Sequence, residues 1–267
     1  MPQPTLPVAF LLDLDGTLYA GGAALPGAPD ALRRLRRKGI PFRLVTNTTS
    51  RSRGMLVERL RGYGFTAEPE EIYTATLAGA ALARISGFRV VAPFLPAPAL
   101  EDLSGLDLVG GSSGRTGPGG PAPQAVILGD LAEGWSYRVL QEAFEYVMNG
   151  AAIIALSRDR YWRRGDGLAL DAGPFVTALE YATGQTATIA GKPSPAFYTA
   201  ALASLEVAPG PGVAMVGDDL WSDVQGAQSA GLQGWLVRTG KFREETLRGS
   251  GITPDRVLAS LADLARP

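Results

Sequence analysis

The sequence predicts an α/β fold: a doubly wound, Rossmann-like parallel sheet interrupted by a smaller inserted α/β domain. Three observations predict it. Short apolar runs at residues 8–12, 42–45 and 213–216 are each followed by a polar turn and then a helical pattern. The turns carry carboxylates, hydroxyls and glycines where open α/β sheets keep their chemistry, beyond the carboxyl ends of parallel strands. From about residue 79 to 186 the rhythm changes and supplies its own strands and helices. That stretch reads as an insert with a separate core, leaving 1–78 plus 187–267 as the main domain.

Composition narrows the chemistry before any motif is considered. The chain has 267 residues, 46% of them hydrophobic, enough for one large α/β domain or a core with an insert. Its net charge of −1 provides no global field for nucleic acid or an anionic membrane. It contains no Cys and no His. Thiol nucleophiles, disulfides, Cys/His zinc sites, phosphohistidine and Ser-His-Asp triads are therefore excluded. Carboxylates, hydroxyls, amides, Lys and Arg remain, with a metal bound through oxygen. Residues 1–7 lack a basic-then-apolar leader and no run is long enough to span a membrane, so a cytoplasmic protein is expected.

The first strand, residues 8–12, runs into Asp13-Leu14-Asp15-Gly16. Two carboxylates on one turn can hold a hard cation or divide the work of nucleophile and acid. An Asx-type turn closing a strand is the plain alternative. Residues 26–39 form an amphipathic helix, with Pro29 near its start and Gly39 after its end. Its basic run 33–38 suits a solvated helix C-terminus better than a nucleic-acid patch. Strand 42–45 ends in Thr46-Asn47-Thr48-Thr49-Ser50, hydroxyls and an amide that can receive an anion or simply cap the next helix. A helix at 55–62 and a helical pattern at 71–84 follow.

In the insert, strand 88–92 precedes the proline-rich stretch 93–98, and 110–120 is too rich in breakers for a packed element, so it reads as a mobile surface loop. Strand 125–128, helix 137–148 and strand 152–156 come next. Residues 160–164 and 168–170 flank Gly165-Asp166-Gly167, a hairpin signal, and helix 174–183 stops at Gly184. The main rhythm resumes with strand 187–189 and the turn Gly191-Lys192-Pro193. A helix from Pro195, strand 213–216, the acidic turn 217–223, helix 224–230, strand 235–237 and a closing helix 258–265 complete the chain. Thr239-Gly240-Lys241 looks like the end of a P-loop, but the preceding glycine spacing is wrong and Phe242 follows.

Four turns thus supply Asp13 and Asp15, Thr46 and Asn47, Lys192, and Asp218, Asp219 and Asp223. Each has a structural explanation by itself. Jointly they make a cluster of acids for a divalent cation, with a hydroxyl, an amide and an ammonium to hold phosphate oxygens. The spacing does not match an EF-hand.

At this point a resemblance becomes plain. Asp13-Leu14-Asp15-Gly16-Thr17, Thr46-Asn47, Gly191-Lys192-Pro193 and Gly217-Asp218-Asp219 with Asp223 resemble, in order and spacing, the four motifs of the haloacid-dehalogenase-like (HAD) hydrolases. The large insert between the second and third motifs resembles the NagD-like members with a C2-type cap. Residues 167–181 and 237–241 further resemble a subgroup containing phospholysine phosphohistidine inorganic pyrophosphate phosphatase and its hydrolase-domain relatives.

The resemblance implies a Mg²⁺-dependent phosphohydrolase acting on small phosphorylated metabolites. Asp13 would attack phosphorus to give an aspartyl-phosphate, and Asp15 would protonate the leaving oxygen and then activate water. Mg²⁺ would be held by Asp13, the backbone carbonyl of Asp15 and Asp218, with Asp219 and Asp223 in support. Thr46, Asn47 and Lys192 would bind the transferring phosphoryl oxygens. The insert is expected to close over the site and set selectivity, with Tyr161, Trp162 and Asp171 as candidate reading residues and hinges near 76–79 and 184–187. The expected partner is a small phosphorylated molecule, with neither nucleic acid nor membrane; a homodimer is left open. Competing readings are a phosphotransferase or mutase, a dehalogenase, which would need neither Asp15 nor the metal cluster, and a non-catalytic binding protein.

Overall fold

The computed structural model describes residues 6–114, 121–164 and 167–265. Two compact units divide the chain. The first comprises residues up to Thr46, Gly54–Tyr73 and Lys192 onward; the second comprises Asn47–Arg53 and Thr74–Gly191.

The first unit is a six-stranded sheet in the order Arg256–Leu258, Gln233–Val237, Val213–Gly217, Ala9–Asp13, Phe42–Thr46, Ile72–Thr74. Ala9–Asp13 pairs in parallel with both Val213–Gly217 and Phe42–Thr46. The chain therefore winds outward from its first strand in one direction, returns, and winds outward in the other. Ala9–Asp13 and Val213–Gly217 are buried along their whole length, which is why they read as continuous apolar runs. On one face Phe10, Leu12, Leu44 and Val216 pack with Leu32 and Leu35 of the helix Ala28–Arg37 and with Leu56 and Leu60 of Arg53–Gly62. The reversal of winding puts a crevice at the carboxyl ends of the two central strands, where such sheets bind ligands.

The second unit holds a five-stranded parallel sheet in the order Thr188–Ile189, Ala152–Ala155, Ala125–Leu128, Val90–Phe94, Asp107–Leu108. Its helices Tyr137–Met148 and Ala172–Thr183 bury Ala143, Val147, Val176 and Leu179 against Phe94, Leu128 and Ile153. Trp135 is stacked between Phe94 and Phe175, at centroid distances of 6.1 and 4.5 Å. The strands Tyr161–Arg164 and Gly167–Leu170 pair antiparallel as the hairpin signal predicts, and the turn at 165–166 lies outside the described residues. No helix among the described residues is long and apolar enough to cross a membrane.

Several elements differ from the sequence reading. The strand at 188–189 pairs with Ala152–Ala155 and so belongs to the insert's sheet rather than the main one. The expected hinge at 76–79 falls inside the helix Ala75–Ile85, with Gly79 against Leu156 and Ile127, and Gly184 ends the helix Ala172–Thr183. The chain instead leaves the first unit beside Thr74, whose hydroxyl accepts from Leu77 N at 3.1 Å and caps that helix. The pattern at 71–84 thus begins as the strand Ile72–Thr74.

Pro93, outside the expected strand 88–92, lies within Val90–Phe94, because the neighbouring Asp107–Leu108 pairs only with Val90 and Val91. There the Ser112 hydroxyl donates to Pro93 O at 2.9 Å and accepts from Leu95 N at 3.0 Å. Residues 111–113 are therefore a short 3₁₀ turn packed on the sheet edge, and the part of the expected loop at 115–120 lies outside the described residues. The expected closing helix begins as the strand Arg256–Leu258, followed by a 3₁₀ turn, Leu261–Ala265. The expected helix 224–230 starts earlier as a π turn, Leu220–Gln225, because the Asp219 carboxylate caps Trp221 N and Ser222 N.

Candidate active site

Asp13 is the last residue of its strand and is buried, while Asp15, two residues on, is exposed. The turn between them is fixed by Gly16 N donating to Tyr19 O at 2.8 Å and Leu18 N donating to Leu14 O at 2.9 Å. Gly16 has φ +82°, and a Cβ there would overlap the Asp218 carboxylate. Glycine is required both for the backbone angle and for the close approach.

The buried Lys192 ammonium donates to Asp13 Oδ1 at 2.5 Å and to Asp223 Oδ1 at 2.6 Å. Asp223 Oδ2 in turn accepts from Asp219 N at 3.1 Å, which closes the acidic turn on itself. Asp218 follows Val213–Gly217, so it stands at the end of the strand beside that of Asp13. Carboxylate oxygens of Asp13, Asp218 and Asp223 lie within 4.8 Å of one another, and all three residues are buried. Thr46 is buried at the end of the adjacent strand Phe42–Thr46.

Not every expected residue joins this cluster. The Asp15 carboxylate stands apart and accepts from the Tyr19 hydroxyl at 3.1 Å. Asp219 Oδ1 accepts from Trp221 N and Ser222 N, and its Oδ2 accepts from Lys241 Nζ at 2.9 Å. Asn47 lies in the second unit, where its Oδ1 is so near Gly191 that a Cβ on that glycine would come within 2.8 Å. Also in the second unit, Tyr161 and Trp162 are exposed on the hairpin, and Asp171 caps Ala172–Thr183 by accepting from Ala172 N at 2.6 Å.

Two contributors escape the sequence reading. Tyr19 binds Asp15, and residues 239–241 strap the acidic turns together. Thr239 Oγ1 donates to Gly16 O at 2.5 Å, and Lys241 N donates to Asp218 Oδ2 at 2.6 Å. The signal in sequence is the tripeptide that fails as the end of a P-loop. It serves the site through the Thr239 hydroxyl, the Lys241 ammonium and the Lys241 backbone N–H.

The electrostatics follow from burial. Desolvation, together with the charges of Asp223 and Asp218, pushes the Asp13 carboxyl well above the usual carboxylate range, against the pull of Lys192. Burial also disfavours the Lys192 charge, but Asp13 and Asp223 outweigh it and hold the ammonium firmly protonated. Burial and the Asp223 charge push Asp218 up to about 7. Asp219 moves the other way: burial opposes its charge, but Lys241 and the Ser222 N–H hold its carboxyl below the ordinary value.

Three buried carboxylates therefore face one ammonium, with negative charge in excess. All the donors are oxygen and crowd one point, a set that fits a hard divalent cation.

A family model of haloacid dehalogenase-like hydrolases matches residues 10–103, and a HAD-hydrolase-like model matches residues 189–264. The chain is 44% identical over 237 residues to haloacid dehalogenase-like hydrolase domain-containing protein 2 of Rattus norvegicus, covering 88% of this chain and 85% of that one. It is 35% identical over 266 residues to phospholysine phosphohistidine inorganic pyrophosphate phosphatase of Xenopus laevis, covering 95% and 92%.

Among solved structures, p-nitrophenyl phosphatase from Archaeoglobus fulgidus superposes with a TM-score of 0.87 at 27% identity, covering 98% of this chain and 99% of that one. NagD from E. coli K-12 gives 0.84 at 25%, covering 97% and 98%. A glycerol phosphate phosphatase from Mycobacterium tuberculosis, in complex with magnesium, gives 0.82 at 29%, covering 97% and 76%.

Proposed function

The chain belongs to the haloacid dehalogenase-like hydrolase family, in its NagD-like branch, and is one of the family's phosphatases; from that premise we propose that it hydrolyses small phosphorylated metabolites with Mg²⁺ through an aspartyl-phosphate on Asp13. The observation that carries this reading is the buried Lys192 ammonium bridging Asp13 and Asp223 at 2.5 and 2.6 Å, with Asp218 in the same cluster. An ammonium in that position orients the Asp13 carboxylate.

Asp13 attacks phosphorus as the bond to the leaving oxygen breaks, and Asp15 supplies that oxygen with its proton. In the second step Asp15 takes a proton from water, which attacks the aspartyl-phosphate and frees Asp13. Thr46, Asn47 and Lys192 hold the phosphoryl oxygens and stabilise the charge that develops on them. Asp13, the backbone carbonyl of Asp15 and Asp218 would hold Mg²⁺, with Asp219 and Asp223 fixing the turn around them. When bound, the ion supplies positive charge that offsets repulsion between these acids and a phosphate. The all-oxygen donor set suits a hard divalent cation, and Mg²⁺ as that cation has the support of a similar phosphatase solved with magnesium, which has also been solved with calcium.

We assign the chemistry mainly to the first unit and selectivity to Thr74–Gly191 of the second. Tyr161 and Trp162 are candidates to read the substrate because they are large and exposed. Asp171 is a candidate whose carboxylate is already engaged as a cap. Acid quenching during turnover of a labelled phosphate ester tests the chemistry. A protein-bound phosphate should be trapped in wild type, be absent from Asp13→Asn, and disappear with EDTA until Mg²⁺ is restored. A phosphoenzyme in Asp13→Asn, or undiminished turnover after metal removal, would overturn the reading.

A further inference from the structure

We propose that Tyr19 is the positioning residue for Asp15, its hydroxyl fixing carboxyl oxygen Oδ2 so that Oδ1 is the oxygen that exchanges the proton; this rests on the acid–base role proposed for Asp15 above. Asp15 is the exposed acid of the turn. An exposed aspartate samples several rotamers, whereas a general acid works only when held within hydrogen-bond reach of the leaving oxygen. The Tyr19 hydroxyl donates to Asp15 Oδ2 at 3.1 Å and supplies the restraint.

Tyr19 is itself immobilised. It is 2% exposed, its carbonyl accepts from Gly16 N at 2.8 Å, and it pairs with Ala24 in a short antiparallel ribbon. Its ring packs on Tyr63 at a centroid distance of 5.3 Å. The Arg59 guanidinium lies 5.2 Å from the Tyr19 ring centroid and donates to the Tyr63 hydroxyl through Nε at 3.3 Å. Arg59 lies on the helix Arg53–Gly62 and Tyr63 directly follows it, so the end of this helix holds the phenol and the phenol holds the acid.

With Oδ2 accepting from the phenol, the proton passed to the leaving group comes from Oδ1. It moves to the leaving oxygen as that oxygen's bond to phosphorus breaks and the Asp13–phosphorus bond forms. The phenol keeps its own proton throughout.

The test is Tyr19→Phe, which keeps the ring and removes the hydroxyl, read in single-turnover release of the leaving group with Mg²⁺ present. With glycerol phosphate, whose poor leaving group needs the acid, the rate should fall about 10-fold, a fraction of the 10²–10⁴ that general acid catalysis supplies. With p-nitrophenyl phosphate it should fall less than about 3-fold, and KM should hold for both. Tyr181→Phe, which removes the hydroxyl of a fully exposed tyrosine on the helix Ala172–Thr183, should leave the ratio of the two rates at the wild-type value. Asp15→Asn should show the same selective loss, larger. If Asp15→Asn shows it and Tyr19→Phe keeps the wild-type ratio or slows both esters equally, the role of Tyr19 is overturned alone. If Asp15→Asn itself shows no selective loss, the acid role of Asp15 fails and this proposal fails with it.

Discussion

Asp218 and Asp223 carry the same group on one turn, yet their surroundings set them different tasks. Both Asp223 oxygens are engaged, one by Lys192 and one by Asp219 N, whereas Lys241 N takes only Oδ2 of Asp218. Asp218→Asn should therefore weaken Mn²⁺ or Mg²⁺ binding more than Asp223→Asn, whose effect belongs with outer-shell changes of about 10–100-fold. Asp223→Asn should instead show in stability, since breaking a buried ion pair costs about 3–5 kcal/mol. Calorimetric metal titration and thermal melts of the two variants check this, and equal metal affinities would reverse the assignment. The acids, Lys192 and Thr46 are legible in sequence because strand-end chemistry is local: a carboxylate or hydroxyl directly after an apolar run has few other places to be. Tyr19 is not, because a tyrosine four residues past an aspartate reads as core until the turn between them is folded. Lys241 stands out in sequence for the wrong reason, since its N–H contacts Asp218 and no side-chain pattern reports a backbone donor.

Among the elements, the strap at 239–241 shows how a turn can serve a metal site without offering a ligand. Gly240 has φ +59°, and a Cβ there would overlap Asp218 Oδ2 and come within 2.6 Å of Gly16 Cα. Gly240→Ala should displace the carboxylate and weaken metal affinity by about 10-fold or more, while losing roughly 1–3 kcal/mol to backbone strain. Gly251 is the control: its φ is +71° but nothing lies within 4 Å, so Gly251→Ala should lower the melting temperature and leave metal binding unchanged. A parallel loss of metal affinity in both variants would mean that the strap acts only through general stability.

The Gly111–Ser113 turn supports the other sheet in a similar indirect way. Ser112→Ala removes a bond to Pro93 O and leaves Leu95 N without its acceptor, so it should cost about 1–3 kcal/mol. A melt that matches wild type would return this turn to the status of a surface loop. Sequence could not reveal it, because glycine and serine advertise freedom and the restraint comes from Pro93, nearly twenty residues away. Residues 188–189 are misplaced by the sequence for a related reason. A two-residue strand carries no period, so only its partner shows which sheet it extends.

For the whole molecule, the fold class is readable because each buried parallel strand appears as an unbroken apolar run with a polar stop. The exchange points between units are not, since they fall at strand ends and helix caps that look like ordinary connections. Net charge is equally readable, and at −1 it hides the concentration of charge in one place. That concentration makes the stability of the metal-free chain depend on pH in an unusual direction. Asp218 has an ordinary value of 3.8 and is pushed up to about 7 in the folded chain, and Asp13 is raised in the same sense. Between about pH 4 and 7 the folded state therefore binds more protons than the unfolded one, and the stability that Asp218 contributes is lost across that range as pH rises. At roughly 1.4 kcal/mol for each tenfold difference in proton affinity between the folded and unfolded chain, Asp218 alone contributes at most about 4 kcal/mol. Asp219, held below its ordinary value, works in the opposite sense, but its contribution is lost only in more acidic solution, outside the window from about pH 5 to 8. In EDTA the protein should therefore melt at a lower temperature at pH 8 than at pH 5. Mg²⁺ should raise the melting temperature more at pH 8, because at pH 5 protons compete for the same oxygens. Asp218→Asn, which cannot ionise there, should flatten the EDTA profile. A metal-free melting temperature that rises from pH 5 to pH 8 in wild type would mean that the buried acids are already neutralised by partners within the fold, and the case for a cation at this point would lose its electrostatic basis.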